Sequence, residues 1–201
     1  MKHGIALLAT AATLALGGCI SVTENTMTPQ TAQPAGSLSA VDTATRAPTD
    51  IRRTTIIVRD MDRSLAFWRD TLGMKMNYDT QVELSGVNLP LGEPGSKARL
   101  VLLNANDSFI GWIGLMEVVD PPLDEPAYPR RLSVGSPVIV VNTDDVPARC
   151  AAAKAVPGVT MTAEARLQTY PSRTGGPDIR VMGCNVFDPD GVAVEINQLL
   201  N

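Results

Sequence analysis

The segment "RTTIIVRDMDRSLAFWRDTLG", residues 53–73, contains a complete strand–helix unit. Its first residues are β-branched and apolar, which predicts a strand. Asp60 is suited to cap the N-terminus of a helix, and Gly73 is suited to end it. Between these two residues, apolar side chains recur at helical spacing and predict one helix face turned to a core. They are Met61, Leu65, Trp68 and Leu72.

The same plan occurs a second time in the chain. Residues 138–158, "VIVVNTDDVPARCAAAKAVPG", again give a strand, a capping Asp145, a helix and a terminating Gly158. Three strand-like segments follow each helix, and the proline-rich residues 121–129 separate the two halves. This order predicts an α+β fold of two βαβββ modules. The strand-like segments are 74–78, 98–104 and 109–119 in the first half, and 159–167, 179–187 and 192–197 in the second.

The segment "NVFDPDGVAVEIN", residues 185–197, predicts a hairpin. Its turn, Asp188-Pro189-Asp190-Gly191, has proline where φ must be preset and glycine where φ must be positive. In the strand that follows, side chains alternate between the two faces of the sheet. Val192, Val194 and Ile196 therefore share one face, while Ala193, Glu195 and Asn197 share the other. We expect Glu195 to point away from the core, into water or into a cavity.

The module pair, the opening "IIVRDMDRSLAFWRDTLGM" and the ending "FDPDGVAVEIN" resemble the vicinal oxygen chelate superfamily. This superfamily includes glyoxalase I, extradiol dioxygenases, methylmalonyl-CoA epimerase, and the bleomycin and fosfomycin resistance proteins. The resemblance covers about residues 52–199. It implies a glyoxalase-like fold in which two βαβββ modules form a curled mixed sheet around a cavity. A homodimer is a further arrangement that the resemblance implies.

The resemblance also implies a candidate site. In metal-dependent members, ligands come from the start of the first strand and the end of the fourth strand of each module. The first-strand positions here are Arg53 and Val138. The fourth-strand positions are Glu117, in "GLMEVVD", and Glu195, in "VAVEINQ". Thr55, on the same strand as Arg53, completes the candidate ligand-binding set.

The residue types at these positions argue against a metal cofactor. The only histidine in the chain is His3, which lies in a predicted signal peptide. Zinc, nickel and iron sites depend on imidazole or thiolate ligands. Arg53 stays protonated and Val138 has no donor atom. We therefore expect no metal, although Glu117 and Glu195 together could hold a hard divalent cation weakly.

Arg53 has two interpretations that the sequence leaves open. Its guanidinium could pair with Glu117 and Glu195 as a structural counter-ion in place of a metal. Alternatively, Arg53 could bind an anionic ligand while one of the glutamates acts as a hydrogen-bond acceptor or a general base. Both interpretations expect the two glutamates to lie inside one cavity.

The N-terminal sequence "MKHGIALLATAATLALGGC" predicts a secretory signal peptide over residues 1–18. Its apolar run is shorter than the roughly 20 residues that a membrane span needs. The residues before Cys19 resemble the bacterial lipobox, which implies lipidation of Cys19. Because Ile20 follows it, the resemblance favours the outer membrane, facing the periplasm. Cys150 and Cys184 could pair in that oxidising compartment or be two buried thiols, and the sequence does not decide.

The rest of the chain divides into a tether and one domain. Residues 19–50 contain few large apolar side chains and predict a disordered tether. Residues 51–201 form the predicted domain, with modules at about 52–120 and 135–199. The whole chain is 44% hydrophobic and 19% charged, which is typical of a globular protein. Its net charge of -4 gives no basic surface, so nucleic acid is not an expected partner.

Three functions fit these features. The first is a membrane-tethered domain that binds a small molecule in a metal-free cavity. The second is a lyase or isomerase of the glyoxalase I or epimerase type, with Glu117 or Glu195 as general base. The third is a structural envelope lipoprotein whose cavity is filled by core side chains. The discriminating observation is whether a carboxylate in the cavity is accessible and unpaired, or locked to Arg53.

Overall fold

A computed structural model describes residues 47, 49–129 and 131–200. The first module comprises β1 (Arg53–Ile57), α1 (Met61–Leu65) with a π-helical continuation (Ala66–Thr71), β2 (Lys75–Glu83), β3 (Lys97–Asn104) and β4 (Trp112–Asp120). The second comprises β5 (Val138–Asn142), α2 (Val146–Ala155), β6 (Thr160–Tyr170), β7 (Ile179–Phe187) and β8 (Ala193–Leu199). The prediction of two βαβββ modules is confirmed. The predicted signal peptide and most of the predicted tether lie outside the described residues.

Each module forms one four-stranded mixed sheet. The strand orders are β1-β4-β3-β2 and β5-β8-β7-β6. The first strand of each module pairs in parallel with the last strand, and the remaining pairs are antiparallel. Each module thereby brings its first and fourth strands side by side, and these strands carry the candidate site residues.

Both helices begin at the predicted capping residues. The carboxylate of Asp60 accepts a hydrogen bond of 3.0 Å from the backbone N–H three residues later. Asp145 makes the same contact, also at 3.0 Å. Gly73 and Gly158 end the helical segments with φ of +78° and +89°, a conformation that disfavours side chains with a Cβ. Within the described residues no helix is long and apolar enough to cross a membrane.

The first helix departs from the expected α-helix after Leu65. From there the chain widens into π-helical turns, in which the N–H of Leu72 donates to the carbonyl of Phe67 at 3.0 Å. The wider turn directs both Phe67 and Trp68 into the core, where neither side chain is exposed. Their rings meet edge to face at 5.2 Å. The apolar stripe predicted Trp68 in the core but not Phe67.

One hydrophobic core serves both modules, because the helices lie against both sheets. Its fully buried members include Phe67, Trp68, Val101, Leu115, Val146, Cys184 and Ile196. On β8, Val194 and Ile196 pack into this core. We call that side of each sheet the covered face and the opposite side the open face. A smaller apolar cluster around Met116 and Val118 covers part of the open face of the first sheet.

A disulfide settles the question of the two cysteines. Cys150 on α2 is bonded to Cys184 on β7, with a Cα–Cα distance of 6.3 Å. Both residues lie in the shared core. The bond fixes α2 on the covered face of the second sheet, directly behind β8.

The turn before β8 joins the two modules through a buried carboxylate. Asp188 is fully buried, and its Oδ2 accepts a hydrogen bond of 3.1 Å from the indole N–H of Trp68 in the first module. Its Oδ1 accepts the backbone N–H groups of Asp190 and Val192, at 2.9 and 2.8 Å. Burial raises the pKa of Asp188 to about 6, against the opposing effect of these hydrogen bonds.

The neighbouring Asp190 extends the same junction. Its carboxylate accepts the backbone N–H of Arg59 at 2.8 Å and the hydroxyl of Ser64 at 2.6 Å. Gly191 completes the turn with φ of +88°. A Cβ at Gly191 would collide with Pro129, so the linker passes directly over the turn.

The raised pKa of Asp188 predicts a specific pH dependence of stability. A raised folded-state pKa means that the folded state holds the proton more tightly than the unfolded state does. The contribution of Asp188 to stability is therefore greatest below about pH 4 and declines until the pH reaches about 6. Asp188→Asn is neutral at every pH. We expect its deficit in unfolding free energy, measured by urea titration, to shrink by about 3 kcal/mol between about pH 4 and pH 7.

Asp107 provides the matched control for this measurement. It precedes a turn in the first module and accepts the backbone N–H groups of Phe109 and Ile110, but it is only partly buried, whereas Asp188 is fully buried. Those hydrogen bonds lower its pKa. The deficit of Asp107→Asn should accordingly grow with pH rather than shrink. A deficit of Asp188→Asn that is constant across the range would contradict the buried, proton-binding role of Asp188.

Candidate functional site

Glu195 lies in the middle of β8, on the open face of the second sheet. Its neighbours Val194 and Ile196 are buried in the shared core, as the predicted alternation requires. Glu195 pairs in register with Val140 on β5 and with Asn185 on β7. The sheet therefore holds its carboxylate between two strands, with the disulfide-bonded helix behind it.

The Glu195 side chain lines a depression of about 310 Å³ on the open face. The walls are largely apolar, with polar groups from three directions. The apolar residues on the open face are Leu132, Val138, Phe187 and Ala193, and the other polar residues are Arg131, Thr162 and Asn185. An apolar depression with a few polar groups is the usual form of a small-molecule site. We call this depression the Glu195 pocket.

The carboxylate of Glu195 is partly exposed and has no ion pair or hydrogen bond within the part of the chain that the structure describes. The strand fixes the direction of the side chain, and no donor among the described residues contacts its oxygens. A carboxylate in an apolar setting gains more from a donor than one in bulk water does. The geometry therefore leaves Glu195 available to a bound molecule.

Glu117 occupies a different place. It is half-buried on β4, between the buried residues Met116 and Val118, and its carboxylate accepts the backbone N–H of Met61 at the start of α1. Burial raises the pKa of Glu117; the negative charges of Asp60 and Asp62 add to this effect, and the Met61 hydrogen bond opposes it. The expectation that Glu117 and Glu195 share one cavity is wrong.

The strand register explains this error. Thr55 and Val140 are each the third residue of the first strand of their module, and they pair with Gly114 and Glu195, respectively. The counterpart of Glu195 in the first module is therefore Gly114, three residues before Glu117. An odd shift in register moves a side chain to the opposite face of a sheet. The similar sequence contexts of Glu117 and Glu195 do not reveal that shift.

The space in front of Gly114 is already occupied. A Cβ at this glycine would lie 2.8 Å from Oγ1 of Thr55 and 3.3 Å from Cδ of Arg53. Larger side chains at this position would therefore displace their neighbours. In the first module, Arg53 and Thr55 cover the place that corresponds to the Glu195 carboxylate.

Arg53 and Thr55 are exposed and line a separate, shallow depression formed with Asp50, Ile51 and Arg52. Within the described residues Arg53 makes no ion pair. Its predicted role as counter-ion to Glu117 and Glu195 is wrong, because the three charged groups line three different depressions.

The side chains present do not fit a transition-metal site at these positions. Arg53 and Val138 occupy equivalent positions in the two modules, as do Gly114 and Glu195. Of these four residues, only Glu195 has a side-chain atom that can bind a metal ion. Among the described residues no three His, Cys, Asp or Glu side chains lie close enough to hold one. Glu117 and Glu195 also do not converge, so they offer no shared site for a hard cation.

Three polar residues of the Glu195 pocket were not predicted. Asn185 had only a partial signal in the sequence, because the predicted hairpin brings it close to Glu195. A turn centred on Pro189 and Asp190 would pair Glu195 with Cys184, whereas the observed register, centred on Asp190, pairs it with Asn185. Thr162 and Arg131 carried no such signal. Thr162 lies on β6 next to irregular register, and Arg131 lies in the linker, where no periodic pattern fixes the position of a side chain.

Comparison with known proteins gives a family match and a fold match. A sequence model of the Glyoxalase/Bleomycin resistance protein/Dioxygenase superfamily matches residues 50–196. A glyoxalase family protein from Bacillus cereus superimposes with a TM-score of 0.56 at 14% sequence identity, over 80% of this chain and 100% of that chain. At this identity the similarity supports the fold alone. No curated protein shows significant sequence similarity to the chain.

Two further solved structures have lower scores. A glyoxalase/bleomycin resistance protein/dioxygenase from Alicyclobacillus acidocaldarius has a TM-score of 0.41 at 16% identity, covering 78% of this chain and 96% of that chain. A mutant glyoxalase I from Zea mays has a TM-score of 0.44 at 15% identity, covering 73% of this chain and 46% of that chain.

The exposure of Arg53 predicts that its removal has little effect on stability. A buried counter-ion would cost about 3 to 5 kcal/mol on removal. We expect Arg53→Ala to change the free energy of unfolding by less than about 0.5 kcal/mol in a urea titration.

Arg59→Ala is the matched control. The side chain of Arg59 is only 12% exposed, and its guanidinium lies 3.9 Å from the centre of the Tyr128 ring. We expect this variant to lose about 1 kcal/mol or more, from lost packing and cation–π attraction. A loss of several kcal/mol in Arg53→Ala would restore the counter-ion hypothesis.

Proposed function

This chain belongs to the glyoxalase/bleomycin resistance protein/dioxygenase superfamily, and we propose that its domain binds a small organic molecule in the Glu195 pocket. The observation that carries the proposal is the state of the Glu195 carboxylate. It lies on the open face, among apolar side chains, without a donor from the described residues. Binding needs no metal in this proposal.

The chemistry of the pocket indicates the class of ligand. A volume of about 310 Å³ is at the small end of ligand sites. Leu132 and Val138 offer apolar surface to a ligand, because their side chains are 54% and 43% exposed. Burying such surface contributes roughly 25 cal/mol per Å². The ligand would therefore combine an apolar body with one hydroxyl, amide or amino group that donates to Glu195.

One observation favours a lyase or isomerase as a second candidate. A general base that removes a proton next to a carbonyl needs donors nearby to stabilise the resulting enolate oxygen. Arg131 and Asn185 line the same pocket as Glu195 and carry such donors. In this alternative Glu195 is the base, whereas Glu117 lies outside the pocket.

The proposal also includes export and attachment to the membrane. The apolar segment that ends in Leu16-Gly17-Gly18-Cys19 supports a lipidated Cys19, with the tether leading to the domain. The Cys150–Cys184 disulfide supports the same location, because such bonds persist in oxidising compartments such as the periplasm. We place the domain in the cell envelope, anchored to the outer membrane and facing the periplasm.

Binding can be tested by thermal shift with the full chain in mild detergent. The probes are a panel of small amines, alcohols and amides with aromatic or branched aliphatic bodies. A ligand that binds only the native state raises the melting temperature by mass action. We expect at least one probe to raise it by about 2 °C or more in the parent and not in Glu195→Gln.

Glu83→Gln is the control for that experiment, because Glu83 is an exposed glutamate at the end of β2. It should respond to the probes as the parent does. If every stabilising probe acts equally on Glu195→Gln, or if no probe acts on the parent, the binding proposal fails and a structural role is favoured.

The anchor has its own test. Lipidation requires the thiol of Cys19, so Cys19→Ser should release the protein from membranes or block its processing. The measurement is fractionation of cells that express the parent or the variant, with immunodetection of the chain. A variant that has the mature length and still sediments with membranes would contradict the predicted lipid anchor.

A further inference from the structure

A second cavity lies at the module junction, away from the Glu195 pocket. It has a volume of about 360 Å³. Its floor is formed by the ends of β1 and β4, one side by the turn residue Asp190, and its cover by linker residues Pro122–Pro126. We call it the linker cavity. Neither the superfamily match nor the proposed function gives it a role.

Most of the wall of the linker cavity is hydrocarbon. Two strands and the linker supply it, and the side chains of Val119 and Leu123 are 41% and 39% exposed. Because the linker residues that cover the linker cavity are exposed, the cavity is open to solvent. The accessible apolar lining consists of Ile57, Val119, Pro122, Leu123 and Pro126, while Val58 and Val118 adjoin the cavity but are buried. Such a wall suits an apolar group of modest size.

One carboxylate in this wall lacks a cationic partner. Glu117 accepts a hydrogen bond from the backbone N–H of Met61, and within the described residues it makes no ion pair. Arg99 acts on Glu117 only at a distance, because its guanidinium is held by both carboxylate oxygens of Asp79, at 3.0 and 2.8 Å. Burial accordingly raises the pKa of Glu117.

The arginine of the linker cavity is already engaged. The guanidinium of Arg59 lies over the ring of Tyr128 at 3.9 Å, and its Nη1 is 3.9 Å from Oε2 of Glu125. Arg59 is therefore directed to the linker rather than to Glu117. The remaining carboxylates in the wall, those of Asp124 and Asp190, make an anionic ligand unfavourable.

We propose that the linker cavity binds an organic ammonium ion, with the ammonium group donating to Glu117 and the hydrocarbon body against Ile57, Val119 and Leu123. A charge-assisted hydrogen bond in a partly dry site is stronger than one in water. A bare metal ion would be a poor occupant, because hard cations require several oxygen ligands and this wall is mainly hydrocarbon.

The proposal can be tested with two probes of the same shape. Benzylammonium and benzyl alcohol have the same carbon skeleton and differ in charge. Each is titrated by isothermal calorimetry into the full chain in mild detergent, at neutral pH. We expect saturable binding of benzylammonium, with an affinity at least about tenfold higher than that of benzyl alcohol.

The variants locate the site. Glu117→Gln retains an oxygen for the Met61 N–H but has no charge, so it should weaken benzylammonium binding at least about tenfold. Leu123→Ser changes only the exposed cover and should weaken both probes, which provides a second test that does not depend on Glu117. Glu83→Gln, at an exposed glutamate outside both cavities, should leave the affinity for benzylammonium unchanged.

Each contrary result is decisive. Equal affinity for the two probes, absence of saturable benzylammonium binding, or unaltered affinity in both Glu117→Gln and Leu123→Ser would overturn the linker-cavity proposal. Loss of benzylammonium binding in Glu195→Gln alone would also overturn it and would assign the ammonium ion to the Glu195 pocket instead. The two proposals can therefore fail independently.

Discussion

The hydrogen bond between the indole of Trp68 and the buried carboxylate of Asp188 is the contact on which the arrangement of the two modules depends. A carboxylate is costly to bury, and it stays buried here because three N–H groups from two modules point at it. The π-helical turns that bring Trp68 into the core serve this contact. The turn that carries Asp188 leads directly into β8. The position of Glu195 thus depends on a bond made seven residues earlier in the chain.

The same turn separates the two candidate binding places. On the side of β8 it leads into the Glu195 pocket, which belongs wholly to the second sheet and the linker. On the other side, Asp190 holds the backbone of Arg59 and forms one wall of the linker cavity. The segment between β4 and β5 contributes to both places, with Arg131 and Leu132 at the first and Pro122–Pro126 at the second. Its function is therefore more than to connect the modules.

The sequence predicted the fold well because the fold depends on local signals. Aspartate caps, glycine ends and the alternation along β8 each act within a few residues, and the caps and glycine ends occur once in each module. The candidate site was predicted less well because it depends on strand register. Glu117 and Glu195 occupy similar sequence contexts, yet a three-residue shift places them on opposite faces. The disulfide and the contribution of Arg131 depend on distances between elements, which local patterns do not contain.

The two modules also show why repeated sequence does not give repeated chemistry. Asp107 and Asp188 each lie seven residues before the equivalent positions Gly114 and Glu195, and each accepts two backbone N–H groups of its own turn. Yet the pKa of Asp107 is lowered and that of Asp188 is raised. Since the local hydrogen bonds are alike, the difference arises from burial of Asp188 beneath the helix of the other module.

The same reasoning applies to the pair Gly114 and Glu195. Both face the open side of their sheets, but Arg53 and Thr55 fill the space before Gly114, whereas Val138 and Val140 leave the carboxylate of Glu195 accessible. A metal site of the superfamily kind would require donors from both modules to converge. In this chain the first module has Gly114 at the position that corresponds to Glu195, and the carboxylate of Glu195 has no partner among the described residues. The first module therefore supports the structure of the site, and the second supplies the group available for binding.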